Sequence, residues 1–311
     1  MTSSSSKSDS SKKLVKDAIN ESKDLQDIIE HLREWIKIQP HINARTDDRS
    51  LSNFVKGSKW STQRAKEKID CFYSVRTLFP EFFNNRDPCG LDVQKVFNAG
   101  LMYPLPNKNK INQSYIVYFN LTNMHVENVS LLELTKVFFM VLDILLKEEV
   151  DFAESGLQII TDYQNVSLKM LGEMTPKMIK SFLFCLQAAY PVRFRGYVGI
   201  NVPDVFQKLI NTILNSFANE KTRNKITILG TNSAYEVNNI IDKSVFPEEL
   251  GGENGSLPII ADQWKSKMES YKKWFLDDAK YSSNELLRTE KMKYKNEEFG
   301  VEGSFRKLNF D

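Results

Sequence analysis

Apolar positions fall into two regimes along the chain. From Leu14 to Phe83 they recur at helical spacing. Leu25, Ile28, Ile29, Leu32, Trp35 and Ile36 form one stripe, which Pro40 stops. Asp47 and Asp48 are placed to cap a second helix carrying Leu51, Phe54 and Val55. A third helix is predicted from about Thr62 to Leu78, with Ala65, Ile69, Phe72, Tyr73 and Val75 on its apolar side. Pro80 and the stretch from Asn84 to Gly90 then mark a boundary.

Beyond that boundary, short apolar runs alternate with helical ones. Strands are predicted at Tyr115 to Leu121, Leu157 to Thr161, Gly196 to Asn201 and Lys225 to Leu229. Ser130 and Glu133 form a capping box ahead of an apolar run to Leu146, a helix apolar nearly all round and therefore buried. Thr175-Pro176 opens another helix and Pro191 closes it; Pro203 opens a third. Strands alternating with helices predict an α/β domain with a largely parallel sheet. After Gly252, Trp264, Met268, Tyr271 and Phe275 share one helix face, and from Ser282 the chain is polar and extended.

Composition narrows the function. The 311 residues are 41% hydrophobic and 11% aromatic, enough for a substantial core. Lys+Arg of 42 against Asp+Glu of 40 leaves +2, which excludes a histone-like or polyanionic chain and gives no reason to expect nucleic acid. The Ser-rich residues 1–13 read as a disordered tail with no apolar signal segment. The apolar run Val137 to Leu146 is too short for a membrane span and is interrupted by Asp143. A cytoplasmic location is expected. Cys71, Cys89 and Cys185 are too scattered for a zinc or redox motif, and His31, His41 and His125 show no metal-ligand spacing. The nucleophile elbow, the phosphate loop and the dinucleotide turn are absent from the sequence. Asp162, just past a strand, reads as a turn carboxylate rather than a catalytic acid, and Cys185 as a small core residue. No catalytic residue, cofactor or metal is expected.

Two basic pairs remain. Arg193 and Arg195 flank Phe194 and, on an extended segment, point the same way. Lys221 and Lys225 share a face if the turn between them is helical. Guanidinium groups suit bidentate phosphate binding and ammonium groups add charge. On spacing alone the four read as solvated surface charges rather than as one site.

Several motifs in one order resemble the CRAL-TRIO lipid-binding family. They are Gly156 to Asp162, Thr175-Pro176, Tyr190 to Gly196, Asn201-x-Pro203, Glu220 to Ile226 and Phe246 to Gly252. The likeness is to the α-tocopherol transfer protein and cellular retinaldehyde-binding protein branch. Leu32 to Ile36, Pro40-His41 and Arg45 to Asp48 are similar to that family's leading helical domain, and Gly300 to Leu308 resembles tails common among insect members. The resemblance implies four parts: a tail at 1–13, a small helical domain at 14–88, an α/β lipid-binding domain at 89–255, and a C-terminal helix and extended tail at 256–311.

It also implies a mobile lid helix, Pro203 to Phe217, over an apolar cavity. Leu157, Ile159, Phe182, Cys185, Leu186, Phe194, Tyr197, Val205, Phe206 and Leu209 are the expected lining. Arg193, Arg195, Lys221 and Lys225 match positions that bind a phosphoinositide headgroup in the tocopherol-transfer branch. The implied function is a carrier, not an enzyme, that binds one retinoid, tocopherol, carotenoid or similar lipid. It would act as a monomer, exchanging its ligand at phosphoinositide-containing membranes that it touches peripherally. Two other readings compete: a lipid-holding interaction module that docks a partner through residues 264–311, and an enzyme acting on the bound lipid. The second needs a polar dyad facing the cavity, and the sequence offers none.

Overall fold

The computed structural model describes residues 22–289 apart from 125, 218–219, 232–235 and 238–239, and of Phe217, Lys221 and Thr222 the backbone alone. The Ser-rich start and the Gly300 to Leu308 ending therefore lie outside the described residues. Five helices lead: α1 (22–37), α2 (Asp48–Gly57), α3 (Thr62–Leu78), α4 (Pro80–Phe83) and α5 (Leu91–Asn98). Asp47 caps α2 by accepting from the Ser50 amide, and Ser61 caps α3. The sheet follows, in spatial order β1 (Met102–Pro104), β2 (Tyr115–Asn120), β3 (Leu157–Asp162), β4 (Phe194–Ile200) and β5 (Ile226–Ile228). β2 to β5 are parallel. The short β1, which the apolar pattern does not announce, adds antiparallel to β2.

The crossovers carry the helices. α6 (Leu131–Glu148) and α7 (Phe152–Ser155) join β2 to β3. The capping box at Ser130 and Glu133 is present at the start of α6. α8 (Lys169–Glu173), α9 (Pro176–Phe184) and a π-helical turn at Cys185–Ala189 join β3 to β4. α10 (Asp204–Phe217) and α11 (Glu220–Arg223) join β4 to β5. Period-two alternation divides the sheet's side chains. Tyr115, Val117, Phe119, Leu157 and Ile159 face the large core that includes α6 and the N-terminal helices. Ile116, Tyr118, Ile160, Val198 and Ile200 face a second core, closed by Val237, Ile241, Phe246 and Leu257.

The expected C-terminal helix is two: α12 (Leu257–Ser270) and α13 (Lys272–Asp278), broken at Tyr271. Its stripe is used within the chain. Met268 and Phe275 are buried and Trp264 Nε1 donates to the Pro104 carbonyl at 3.0 Å. The polar segment after it runs back across the N-terminal helices. Ser283 bridges to Ile42, and Arg288 donates to both Asp70 oxygens at 2.8 and 2.9 Å.

The parts meet in a buried ion network. Asp143, the charge that interrupts the α6 run, receives Arg86 at 2.6 Å, Arg76 at 3.3 Å and the Tyr190 hydroxyl at 3.0 Å. Arg86 also bonds Asp278 at 2.6 Å, and Arg45 reaches Asp278 at 2.8 Å. Burial would raise the Asp278 carboxyl, but the guanidinium groups of Arg76, Arg86 and Arg45 outweigh it and hold it below the usual carboxylate range.

Removing one partner from such a network leaves a buried charge uncompensated. Asp143→Leu should therefore cost about 3–5 kcal/mol in urea unfolding. A carboxyl lowered in the folded state stabilises above its unfolded pKa of about 3.9 and loses that contribution as pH falls below it. Thermal stability should accordingly hold level from about pH 7 to pH 5 and fall steeply below about pH 4, a fall measurable by calorimetry.

Candidate functional site

A cavity of about 220 Å³ lies between the large-core face of the sheet and the helices that cross it. The strands contribute Phe119, Ile159, Thr161, Phe194, Tyr197 and Ile226; α6 contributes Leu131, Leu134, Thr135 and Phe138. Met170, Met174, Met178, Ile179, Phe182 and Leu183 close one side from α8 and α9, and Ile210, Ile213 and Leu214 close another from α10. No charged side chain is in the wall among the described residues. The few polar groups are mostly paired. Thr135 donates to the Leu131 carbonyl at 2.8 Å, and the Tyr163 and Tyr197 hydroxyls are 2.7 Å apart. Burial raises both phenols, so they stay neutral at ordinary pH. An uncharged, concave, apolar space suits a lipophilic molecule and offers nothing for ionic substrates.

Of the positions expected to line this space, Ile159, Phe182, Leu186, Phe194 and Tyr197 are in its wall. Leu157 shares the face of Ile159, as period two requires, but is fully buried in the core beside the cavity. Cys185 is also fully buried away from the wall, and burial pushes its thiol well above its ordinary value. On α10 the contact register lies further along than expected. Val205 is 44% exposed, Leu209 is half-buried, and Phe206 is sealed against Tyr163 with ring centroids 5.6 Å apart. The cavity meets the later residues Ile210, Ile213 and Leu214. The methionines at 170, 174 and 178 went unread in the sequence, although their fourfold spacing is visible there. Unbranched thioether chains fit irregular or changing contents. Asp162 accepts from Gln164, Asn201 and Tyr118, a turn carboxylate fully occupied by structure.

The basic residues gather at the start of β4. Arg195 lies over Gly156, donating from Nε to the Ser155 carbonyl at 2.7 Å and from Nη2 to the Glu154 carbonyl at 2.9 Å. Gly156 has φ +85°, and a Cβ there would stand 2.4 Å from the Arg193 carbonyl and 3.0 Å from the Arg195 side chain. Arg193 donates to the Lys56 carbonyl of α2 at 3.4 Å. Partial burial and then the neighbouring Arg193 charge both lower Arg195, so the two guanidinium groups feel each other. Lys225 Nζ donates at 3.0 Å to the carbonyl of Phe194, the residue between the two arginines. Strand pairing of β4 with β5 thus closes the gap of 30 residues that spacing left open. The Lys221 backbone belongs to α11, just before Lys225, and its side chain lies outside the described residues.

Comparison with known proteins identifies two matching regions. The profile described as CRAL/TRIO domain matches residues 101–252. The chain carries a CRAL/TRIO domain. A second profile, Pinta-like UBA domain, matches residues 21–92, the leading helices. The human protein named alpha-tocopherol transfer protein-like is 26% identical over 230 residues, 74% of this chain and 66% of that one. Clavesin-1 of Xenopus laevis is 25% identical over 236 residues, 75% of this chain and 70% of that one. The chain thus spans about two thirds of the length of these relatives. The crystal structure of Sfh5 superposes with a TM-score of 0.44 at 14% identity, covering 82% of this chain and 96% of that one. The cavity and the arginine pair both lie within the CRAL/TRIO domain.

The geometry at Gly156 is directly testable. Gly156→Ala should lose about 1–3 kcal/mol in urea unfolding, because an L-residue is strained at that φ and its methyl group meets the Arg193 carbonyl. An unchanged midpoint would mean that the segment relaxes and that Arg195 is not held where it is described.

Proposed function

We propose that the chain is a carrier for one hydrophobic molecule, held in the CRAL/TRIO cavity and exchanged at phosphoinositide-bearing membranes without a catalytic step. The observation that carries this reading is the uncharged cavity walled on one side by an amphipathic helix, in the same domain as a cluster of fixed cations. Each 100 Å² of ligand apolar surface withdrawn from water contributes about 2.5 kcal/mol, so a terpenoid chain is held without any ionic contact. Retinoids, tocopherols and carotenoids meet that description, and the relatives' names lend support to the tocopherol class.

In this account α10 acts as the lid. Its polar side chains bond within or beside the helix: Thr212 to the Lys208 carbonyl, Ser216 to the Thr212 carbonyl and Gln207 to the Val202 carbonyl. Its opening then exposes Ile210, Ile213 and Leu214 to acyl chains. Arg193, Arg195, Lys221 and Lys225 hold a polyphosphorylated inositol headgroup while it does so, by charge-assisted hydrogen bonds to phosphate.

Two vesicle experiments test the reading. Ile213→Asp and Leu214→Asp, each kept only if its melting temperature stays near the parent's, should slow transfer of a fluorescent tocopherol analogue between vesicles about tenfold, the cost of bringing a charge to acyl chains. Unaltered transfer would remove α10 from the exchange route. Vesicles with phosphatidylinositol bisphosphate should bind the protein more tightly than phosphatidylserine vesicles of equal charge, and Arg195→Ala should abolish the difference. Equal binding to both, unchanged in Arg195→Ala, would reduce the cluster to ordinary surface charge.

A further inference from the structure

Among the described residues, the cavity wall includes a polar group whose bonding is incomplete. Gln187 lines the cavity, and its Oε1 is buried with no hydrogen-bond partner among the described residues. The other polar side chains of the wall for which bonds are described are engaged: Thr135 with the Leu131 carbonyl, and Tyr163 with Tyr197. Buried acceptors are rarely left unmade in native proteins, and each that is has a reason to be sought.

Gln187 is also held in place from behind. It belongs to the π-helical turn Cys185–Ala189, a rare geometry that recurs at functional positions. Lys68, from α3 of the leading helices, donates to the Gln187 carbonyl at 2.7 Å and to the Tyr190 carbonyl at 3.0 Å. Tyr190 is in turn fixed by Asp143. The residue's main chain is pinned by the leading helices while the residue itself lines the apolar space. An amide oxygen accepts and never donates. Turning the amide over would bury two N–H groups in the same place, which is worse than one acceptor unless the ligand supplies acceptors for both.

We propose that Gln187 reads the polar end of the bound lipophile, its Oε1 accepting a hydrogen bond from a ligand hydroxyl, so that the cavity takes a lipid alcohol or phenol in preference to the matching ether, ester or hydrocarbon. This rests on the carrier reading above and names the ligand class within it. Gln187 orients and selects the ligand; the affinity itself comes from the apolar surface around it.

The test compares farnesol with farnesyl methyl ether, probes of nearly equal apolar area that differ in the O–H donor. Their affinities for the full chain are measured by calorimetric titration. Farnesol should bind about tenfold more tightly, the usual worth of one buried hydrogen bond. Gln187→Leu, close in size and without the acceptor, should bring the two affinities together, the ether gaining and the alcohol losing. Equal affinities in the parent, or a preference for farnesol that survives in Gln187→Leu, would overturn the assignment; survival would move the reading of the hydroxyl to Tyr163 and Tyr197. Should Gln187→Leu fail to fold, Gln187→Met, unbranched like glutamine and likewise without the amide acceptor, takes its place in the same comparison. Failure of both probes to bind would overturn the carrier reading itself, a result distinct from equal binding.

Discussion

Asp143 is a carboxylate in the middle of an otherwise apolar helix, and a charge in that position is tolerable only where partners surround it. Its partners come from everywhere else in the chain: Arg76 from α3, Arg86 from the loop before α5, Tyr190 from the end of the π-helical turn and, through Arg86, Asp278 from α13. Each of these groups is itself buried. The full set comes together only where the leading helices, the CRAL/TRIO domain and the C-terminal helices are docked. The network thereby ties the three parts to one another.

The same network is anchored on a helix that walls the cavity. α6 supplies Leu131, Leu134, Thr135 and Phe138 to the wall and, one and a half turns beyond Phe138, carries Asp143. Tyr190 begins the segment that passes through Arg193 and Arg195 into β4, so one short stretch ties the ion network to the cation cluster and to the cavity residue Phe194. Gly57 and Gly156 permit this: a Cβ at either would strike the carbonyl of Pro191 or Arg193. α10 stands in contrast. Its wall residues are apolar, and its described side-chain bonds stay within the helix or reach the turn just before it. That difference is what supports the proposed role of α10 as the lid.

Much of this was legible in the sequence because it rests on local chemistry. Caps at Asp47, Ser130 and Thr175 place helix starts to within a residue, and the strand runs in β2, β3 and β4 follow from apolar clustering. What escaped depends on long-range partners. Asp143 read as a flaw in an apolar run because its arginines lie 57 and 67 residues away. β1 is three residues long and owes its existence to pairing with β2. The α10 contacts were displaced because periodicity gives a helix's apolar stripe without saying how far along it the cavity lies. Phe206 and Ile210 belong to one stripe, yet the first is sealed by Tyr163 and the second opens on the cavity. The basic pairs were visible individually; only the β4–β5 pairing put Lys225 against the arginine segment.

The central claim is that the cavity exists to hold one lipophile. Native mass spectrometry of the purified full chain, followed by organic extraction and lipid analysis, tests it most directly. The account predicts a protein peak carrying a single hydrophobic molecule, or one that acquires it on exposure to lipid at one-to-one stoichiometry. A chain that stays bare with every lipid offered, or binds many molecules without saturation, would contradict it.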